Sequence, residues 1–487
     1  MRRLTALLFI ALALAPAACR EQPEGTIKAV VIGKQPQVRD PVDAPITPAD
    51  AVLLQNVAQG LVRFDASGNI VPGLAERWNV SDDGLSYIFR IAKTQWADGR
   101  DITAQQVARV LKRALGSRSQ NALKDSLGAV EDVVAMTDRV IEIRLVAPRP
   151  NLLPLLAQPE FAILRGAQGT GPFKLTRDPK EPRSWRLSRE LANLDDEGKR
   201  EDLVQLSGAS AQEAVGAFAQ NKTDVVLGGT FGDLPYARRI KLPRNSLRFD
   251  PASGLFGLVP VRTGSRGFAD PEFRKLLSQA IDREALVAAL GVPNLAPRTT
   301  LLEPGLDGVP AFSAPDWTAT PLPQRLPALK AEAERMFGGK TNRTIALILP
   351  DGPGADILLR RLQQDWGAIG FTVQRAPAAG IATFALIDEV APSSSPAWFV
   401  RRFRCGVALV CNAEADKLMD SARSTPVPAQ RYALLVEAAG MIDEGQLFIP
   451  LTAPVRWSLT SRRIENFAGN RYARHTLTDL ELKPGGD

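Results

Sequence analysis

The chain has 487 residues, which is too many for one ordinary core and suggests about three domain-sized units. At 45% hydrophobic and 23% charged residues it has the make-up of a soluble globular protein, not of a disordered or fibrous one. The net charge of +7 is scattered, and no Lys/Arg block interleaved with aromatics argues for nucleic acid.

Residues 1–19 read as a bacterial export signal: Arg2 and Arg3, an apolar run over 4–15, then Pro16-Ala17-Ala18-Cys19. The run falls short of the roughly 20 residues that span a bilayer, so it reads as a leader and not an anchor. Cys19 behind small residues resembles a lipobox cysteine, which is acylated after cleavage. Pro16 stands where that motif has an aliphatic residue, and ordinary signal-peptidase cleavage after Ala17 is the competing outcome. No later apolar run approaches spanning length, so the mature chain is expected to be soluble or tethered by lipid.

Residues 27–32 form a short strand that turns through Gly33-Lys34-Gln35-Pro36-Gln37 into Arg39-Asp40-Pro41, and 45–58 is expected to begin a helix. Turn formers then cluster at Asp65-Ala66-Ser67-Gly68-Asn69 and Ser81-Asp82-Asp83-Gly84, between short apolar segments that read as strands. Over 85–91, Leu85, Tyr87, Phe89 and Ile91 alternate with Ser86, Ile88 and Arg90, the pattern of a half-buried strand. Asp98-Gly99 makes a turn for which Trp96 is the expected core anchor. Thr103 and Gln106 have capping-box spacing, and Val107, Val110, Leu111 and Ala114 recur at helical spacing behind them.

The phrases Gly60-Leu61-Val62-Arg63-Phe64-Asp65, Ile70-Val71-Pro72-Gly73-Leu74-Ala75-Glu76-Arg77-Trp78, Ser81-Asp82-Asp83-Gly84-Leu85-Ser86-Tyr87 and Trp96-Ala97-Asp98-Gly99, leading to Thr103-Ala104, together resemble the family 5 extracytoplasmic solute-binding proteins. These are the peptide, dipeptide and nickel binders of ABC importers. The phrases mark a scaffold and do not report a ligand.

Further along, 140–145 reads as a strand and 148–154 as a proline-bearing linker. Gly169-Thr170-Gly171-Pro172-Phe173 resembles a second family phrase, whose glycines permit a turn near a lobe crossover. Without a following Gly-Lys-Ser/Thr it is not a phosphate loop. Residues 213–221 read as a helix and 224–227 as a strand. The family's Asn-Pro-Tyr-Trp phrase is not evident, and Trp185 is a weak stand-in. Asp270 and Pro271 begin a helix with Phe273, Leu276, Leu277, Ala280 and Ile281 as its buried stripe. Strand 345–349, helix 355–369 and strand 371–374 form a βαβ unit with parallel pairing. Asp351-Gly352-Pro353-Gly354 could hold an anion through backbone N–H groups, although a plain turn is the simpler account. A helix at 431–442, a strand at 448–451 and Ile464-Glu465-Asn466-Phe467 close the resemblance, which runs from about Ile27 to Leu482.

Catalytic chemistry finds little to use. There is no Gly-x-Ser-x-Gly, His-Glu-x-x-His, Cys-x-x-Cys or Walker phrase, and the single histidine, His475, reads as a surface residue. Cys405 and Cys411 are expected to form a disulfide in an oxidising compartment. A metal site is the alternative, but two thiols and one histidine make a poor ligand set. No cofactor, no metal and no enzymatic activity are expected.

The resemblance implies a ligand held between closing lobes, partly by the segment after Phe384. There the family has alanine- or glycine-aspartate-tyrosine, the Asp accepting from a peptide's α-amino group. This chain has Phe384-Ala385-Leu386-Ile387-Asp388-Glu389-Val390-Ala391-Pro392-Ser393-Ser394-Ser395-Pro396, with Pro392 at the Asp position and Ser393 at the aromatic one. Pro392 can neither ionise nor donate. Asp388 and Glu389 are therefore candidates for recognising a cation, and Ser393 and Ser394 for hydrogen bonding, with a solvated loop as the competing reading. Gln35 and Gln37 are weaker cleft candidates.

By that resemblance the fold is expected to be α/β and periplasmic binding protein-like, of type II in the extended three-lobe form, with two main lobes, a hinge and an extra lobe. Lobe I would take 26–50, 166–255 and 455–487, lobe II 51–165, and lobe III 256–454. The function implied is that of the periplasmic component of an ABC importer. Such a protein, monomeric and free or lipid-anchored through Cys19, binds a peptide-like or other small polar solute and delivers it to a permease with its ATPase. A non-transport envelope sensor or interaction protein with a degenerate cleft is the competing reading.

Overall fold

The structure, a computed structural model, describes residues 25–178, 181–192, 199–261, 270–310, 314–338 and 343–483. Residues 1–19, expected to be a leader ending at Cys19, lie outside these residues, as do Phe268 and Ala269. Three larger sheets organise what is described.

The strand Thr26–Ile32 sits inside a seven-stranded sheet, parallel to both Lys199–Ala209 and Val225–Thr230. Its sequence TIKAVVI buries Ile27, Ala29 and Val31 on one face, while Val30 and Ile32 pack on the other side. A strand covered on both faces needs this near-continuous apolar run. The C-terminal strand Arg456–Thr460 returns to the same sheet, antiparallel between Val225–Thr230 and Leu247–Phe249. The helix Pro48–Val57 starts where Thr47 and Asp50 form a reciprocal capping box, later than the apolar pattern alone indicates. It spans the 50/51 boundary expected between lobes, and Ala49, Leu53 and Val57 pack into the seven-stranded sheet's core.

A four-stranded antiparallel sheet follows, ordered Ala75–Val80, Ser86–Ile91, Val140–Leu145, Val130–Thr137. Tyr87, Phe89 and Ile91 are buried as the alternation requires. The helix Ala104–Leu115 covers this core with Val107, Leu111 and Ala114, capped by Thr103 and Gln106. Gln106 Oε1 also accepts from Trp96 Nε1 at 3.0 Å, so the buried Trp96 helps hold the cap. Residues 148–154, expected as a linker, instead enter a short helix, Leu152–Leu156. Burial of Leu152, Leu155 and Leu156 drives it, and Pro154 is tolerated because it lies in the first turn.

The five-stranded sheet runs Thr372–Arg375, Thr344–Ile348, Phe384–Val390, Gly254–Pro260, Ile449–Thr452. Thr344–Ile348 and Thr372–Arg375 pair in parallel and are joined by the helix Pro353–Ala368, the anticipated βαβ unit. Phe256, Leu258, Phe384 and Ile449 share a core with Val226, Trp457 and Leu459 of the seven-stranded sheet. The helices Pro396–Arg401, Ala413–Ser424 and Pro428–Glu444 contribute to a separate core. The chain passes between these two sheets through 250–253 and again through 453–455, and Asp250 N donates to Arg456 O at 3.0 Å where the crossings meet.

Gly169 and Gly171 lie against the end of the helix Pro48–Val57. A Cβ on Gly169 would sit 2.2 Å from Val57 O, and one on Gly171 2.5 Å from Ala58 N. Only glycine allows this approach, which lets Gly171 N donate to Val57 O at 3.1 Å.

His475 departs from its expected surface role. It is 7% exposed, with Nε2 3.1 Å from Asp250 Oδ2 and its ring stacked on Phe467 at 4.8 Å. Its neighbours Thr476, Leu477 and Thr478 are also buried, so the C-terminal segment is inlaid and not draped over the surface.

Candidate functional site

A cavity of about 570 Å³ separates two parts of the chain distant in sequence. One wall is the turn Lys124–Leu127 with Gly128 to Val130 and Arg149 to Asn151, set by the four-stranded unit. The other is the helix Pro396–Arg401 and its exit, with Met419 and Arg423 of Ala413–Ser424 and Arg431 and Tyr432 of Pro428–Glu444. An inner extension reaches Ser393 beside Asn151, Leu152 and Trp398.

Hydrogen bonds bridge the walls, and most of the acceptors are main-chain carbonyls. Arg149 Nη2 donates to Arg423 O at 3.0 Å, and Arg423 Nη2 donates back to Gly128 O at 3.0 Å. Arg431 Nη1 reaches Pro148 O at 2.6 Å, and Arg401 reaches Asp125 O and, at 2.8 Å, Ser126 Oγ. Nearby, Gln158 Nε2 donates to Pro392 O at 2.9 Å, and Asn151 Nδ2 bonds to the Asp307 carboxylate.

The lining is strongly cationic. Lys124, Arg149, Arg401, Arg402, Arg404, Arg423 and Arg431 contribute to it, with Asp125 as its one carboxylate. Arg402 is paired with Glu389, and Arg404 with Asp420 at 2.8 Å. Among the described residues, Arg149, Arg401, Arg423 and Arg431 have no carboxylate within 4.0 Å. Burial, reinforced by Arg431 and Arg423, pushes the Arg149 guanidinium down to about 10. Burial lowers Arg401 as well, with Arg423, Arg402 and Arg404 adding to the effect against Asp125. Leu127, Trp398, Met419 and Leu435 supply apolar surface beside these charges.

Of the residues singled out from sequence, Ser393 lines the inner extension. It is 1% exposed, and its Oγ accepts from Ser395 N at 3.4 Å. Ser394 offers its carbonyl to Asp307 N at 3.0 Å. Asp388 and Glu389 lie on the strand Phe384–Val390, not in a solvated loop. Asp388 Oδ1 is 2.7 Å from Arg456 Nη1, and burial raises its pKa against that partner. Burial likewise raises Glu389, opposed by Arg402, which places Glu389 one contact behind the cavity. Gln35 Oε1 accepts from Gly208 N at 3.0 Å, while its Nε2 is buried without a partner. Gln37 is exposed, with its N donating to Asp50 Oδ1 at 2.7 Å. Neither glutamine is among the cavity's lining residues. Cys405 and Cys411 are joined by a disulfide that closes the loop bearing Val407, which lines the cavity.

The arginines carry little signal in the sequence. Arg401-Arg402-Phe403-Arg404 was the visible signal, but Arg149, Arg423 and Arg431 come from other segments, so only folding assembles the set. Among the described residues no group of His, Cys, Asp and Glu could hold a metal ion, and no helix is long and apolar enough to cross a membrane.

The sequence model for bacterial extracellular solute-binding proteins, family 5 Middle, matches residues 69–383. The Pseudomonas aeruginosa protein named "Probable di/tripeptide-binding protein 5" is 23% identical, over 90% of this chain and 91% of its own. The glutathione-binding protein GsiB of Shigella dysenteriae is also 23% identical, with the same coverage of 90% and 91%. Among solved structures, Haemophilus influenzae OppA in complex with the peptide RPPGFSPFR superposes with a TM-score of 0.79. It is 16% identical and covers 95% of this chain and 99% of its own, a likeness of fold.

Proposed function

Because the chain belongs to the bacterial extracellular solute-binding proteins of family 5, we propose that it is the periplasmic receptor of an ABC importer. It would capture a peptide-like or other small polar solute in the chamber and deliver it to a permease with its ATPase. The observation that carries this reading is the cavity of about 570 Å³ between walls held together by hydrogen bonds. Its size falls within the roughly 300–1,000 Å³ usual for small-ligand sites. Each bridging hydrogen bond from a charged guanidinium is worth about 1.5–3 kcal/mol net, and a solute touching both walls would shift the population towards closure.

The names of the two relatives support a small peptide-like solute. Binding and closure would suffice, with no covalent step. We keep the three-lobe division in outline, because the seven-stranded sheet draws its strands from 26–50, 166–255 and 455–487 and the four-stranded sheet from 51–165, while the helix Pro48–Val57 and the strand Gly254–Pro260 cross its 50/51 and 255/256 boundaries. Export through residues 1–19, lipid anchoring at Cys19 and a monomeric state complete the proposal.

The test is a calorimetric and thermal-shift screen of the leader-free chain against peptides, opines and sugars, with scattering as the readout of closure. A ligand at a hundredfold its Kd should stabilise the fold by about 2.7 kcal/mol, and the bound protein should be more compact. Silence across the screen from a folded protein would reject the receptor reading.

A further inference from the structure

With Arg402 and Arg404 held by Glu389 and Asp420, the chamber still presents Lys124, Arg149, Arg401, Arg423 and Arg431 against Asp125 alone. Carbonyl partners orient a guanidinium but carry no net charge to balance it. Each guanidinium also has five N–H donors. Arg431 is 5% exposed and spends Nη1 on Pro148 O, while its Nη2 is buried with no partner. Donor capacity and positive charge are therefore both left over in one half-open cavity. Arg431 is buried and Arg149 and Arg401 are half-buried, and desolvating cations without counter-charge is costly, a cost that a bound anion would relieve.

Resting on the receptor reading above, we propose that the solute is a compact polyanion of di- to tripeptide size, carrying two or more carboxylate or phosphate groups that Arg149, Arg401 and Arg431 bind. Planar guanidiniums suit both groups, because each can offer two parallel N–H donors to a pair of oxygens. Two or more anionic groups are needed because one would leave the chamber strongly positive. Leu127, Trp398 and Met419 would cover the solute's apolar portion. The same arginines clamp the walls, so an anion seated among them would couple charge recognition to closure.

The experiment is calorimetry on the intact leader-free chain with size-matched probes: Glu-Glu and a tricarboxylate, a phosphoserine dipeptide and a sugar phosphate, Ala-Ala, and Lys-Lys. At least one anionic probe should bind tenfold or more tighter than Ala-Ala, and Lys-Lys should not bind. The carboxylate and phosphate arms identify which source the site takes. Binding should weaken about tenfold between low and high salt, and Arg431→Gln or Arg149→Gln should each weaken it tenfold or more. Arg431→Lys, which keeps the charge, should recover part of the loss, whereas a purely structural clamp would show no dependence on ligand charge. The comparison among probes uses the native chain, so it stands even if a variant folds poorly. Equal or tighter binding of Ala-Ala or Lys-Lys would overturn the polyanion proposal and leave the receptor reading intact. No binding by any anionic probe also overturns it, and only silence across the wider screen removes the receptor reading too.

Discussion

Asp388 of the five-stranded sheet and Arg456 of the seven-stranded sheet form an ion pair at 2.7 Å, and Arg456 Nη2 also donates to Asp388 O at 3.0 Å. Both side chains are mostly buried, and Arg456 stands where the chain re-enters its sheet after crossing. The pair therefore fixes how the two sheets meet, a role that a ligand-facing carboxylate could not fill while so engaged.

Asp388→Ala should destabilise the fold by about 3–5 kcal/mol, since it strands the Arg456 guanidinium. Asp388→Asn should cost less because an acceptor remains. Urea denaturation measures both, and equal stability of Asp388→Ala and the parent would refute the structural role.

The buried pair of His475 and Asp250 ties the C-terminal segment to the first crossing. Asp250 Oδ1 also accepts from Asn470 N at 3.0 Å, so losing the imidazole leaves one carboxylate oxygen unpaired. His475→Ala should cost about 2–4 kcal/mol from the stranded group and the lost ring stack. A change below about 0.5 kcal/mol, the level of a surface substitution, would show that the histidine carries no load.

Asp443 is raised to about 8 by burial, against one hydrogen bond from Leu301 N. The folded value lies above the unfolded one, so the protonated form is favoured on folding. That contribution is fully present below pH 4 and is lost as pH rises from about 4 to about 8. Asp443→Asn should remove this dependence and raise the melting temperature more at pH 8 than at pH 5. Parallel pH profiles for the two proteins would contradict the assignment.

Asn151 and Gln158 bridge to Asp307 and to Pro392 O, contacts that would be lost if these segments part. Asn151→Ala and Gln158→Ala should each weaken solute binding several-fold through faster dissociation, with association little changed. Stopped-flow kinetics would show this, and a defect confined to association would count against a closing role.

Much of the scaffold was legible because its signals are local. The capping box of Thr103 and Gln106, the alternation through Tyr87, Phe89 and Ile91, and the βαβ spacing each act over a few residues. The chamber was not legible, because it joins Arg149 to Arg423 and Arg431 across nearly three hundred positions, and no periodicity encodes such a meeting. His475 was misjudged for the same reason. Its partner Asp250 is 225 residues away, and in the mostly polar segment Asn470 to Thr478 only Tyr472 and Leu477 hint that it is inlaid. Asp388 and Glu389 were visible as carboxylates close to Pro392, which cannot ionise. What sequence could not supply was that Arg456 and Arg402 answer them.

The most direct test of the account is a structure of the chain crystallised with the tightest solute found in the screen. The account predicts density between the walls, touching Arg149 and Arg431 and packed on Trp398. A solute bound elsewhere, with the chamber unoccupied and its arginines unmoved, would contradict it.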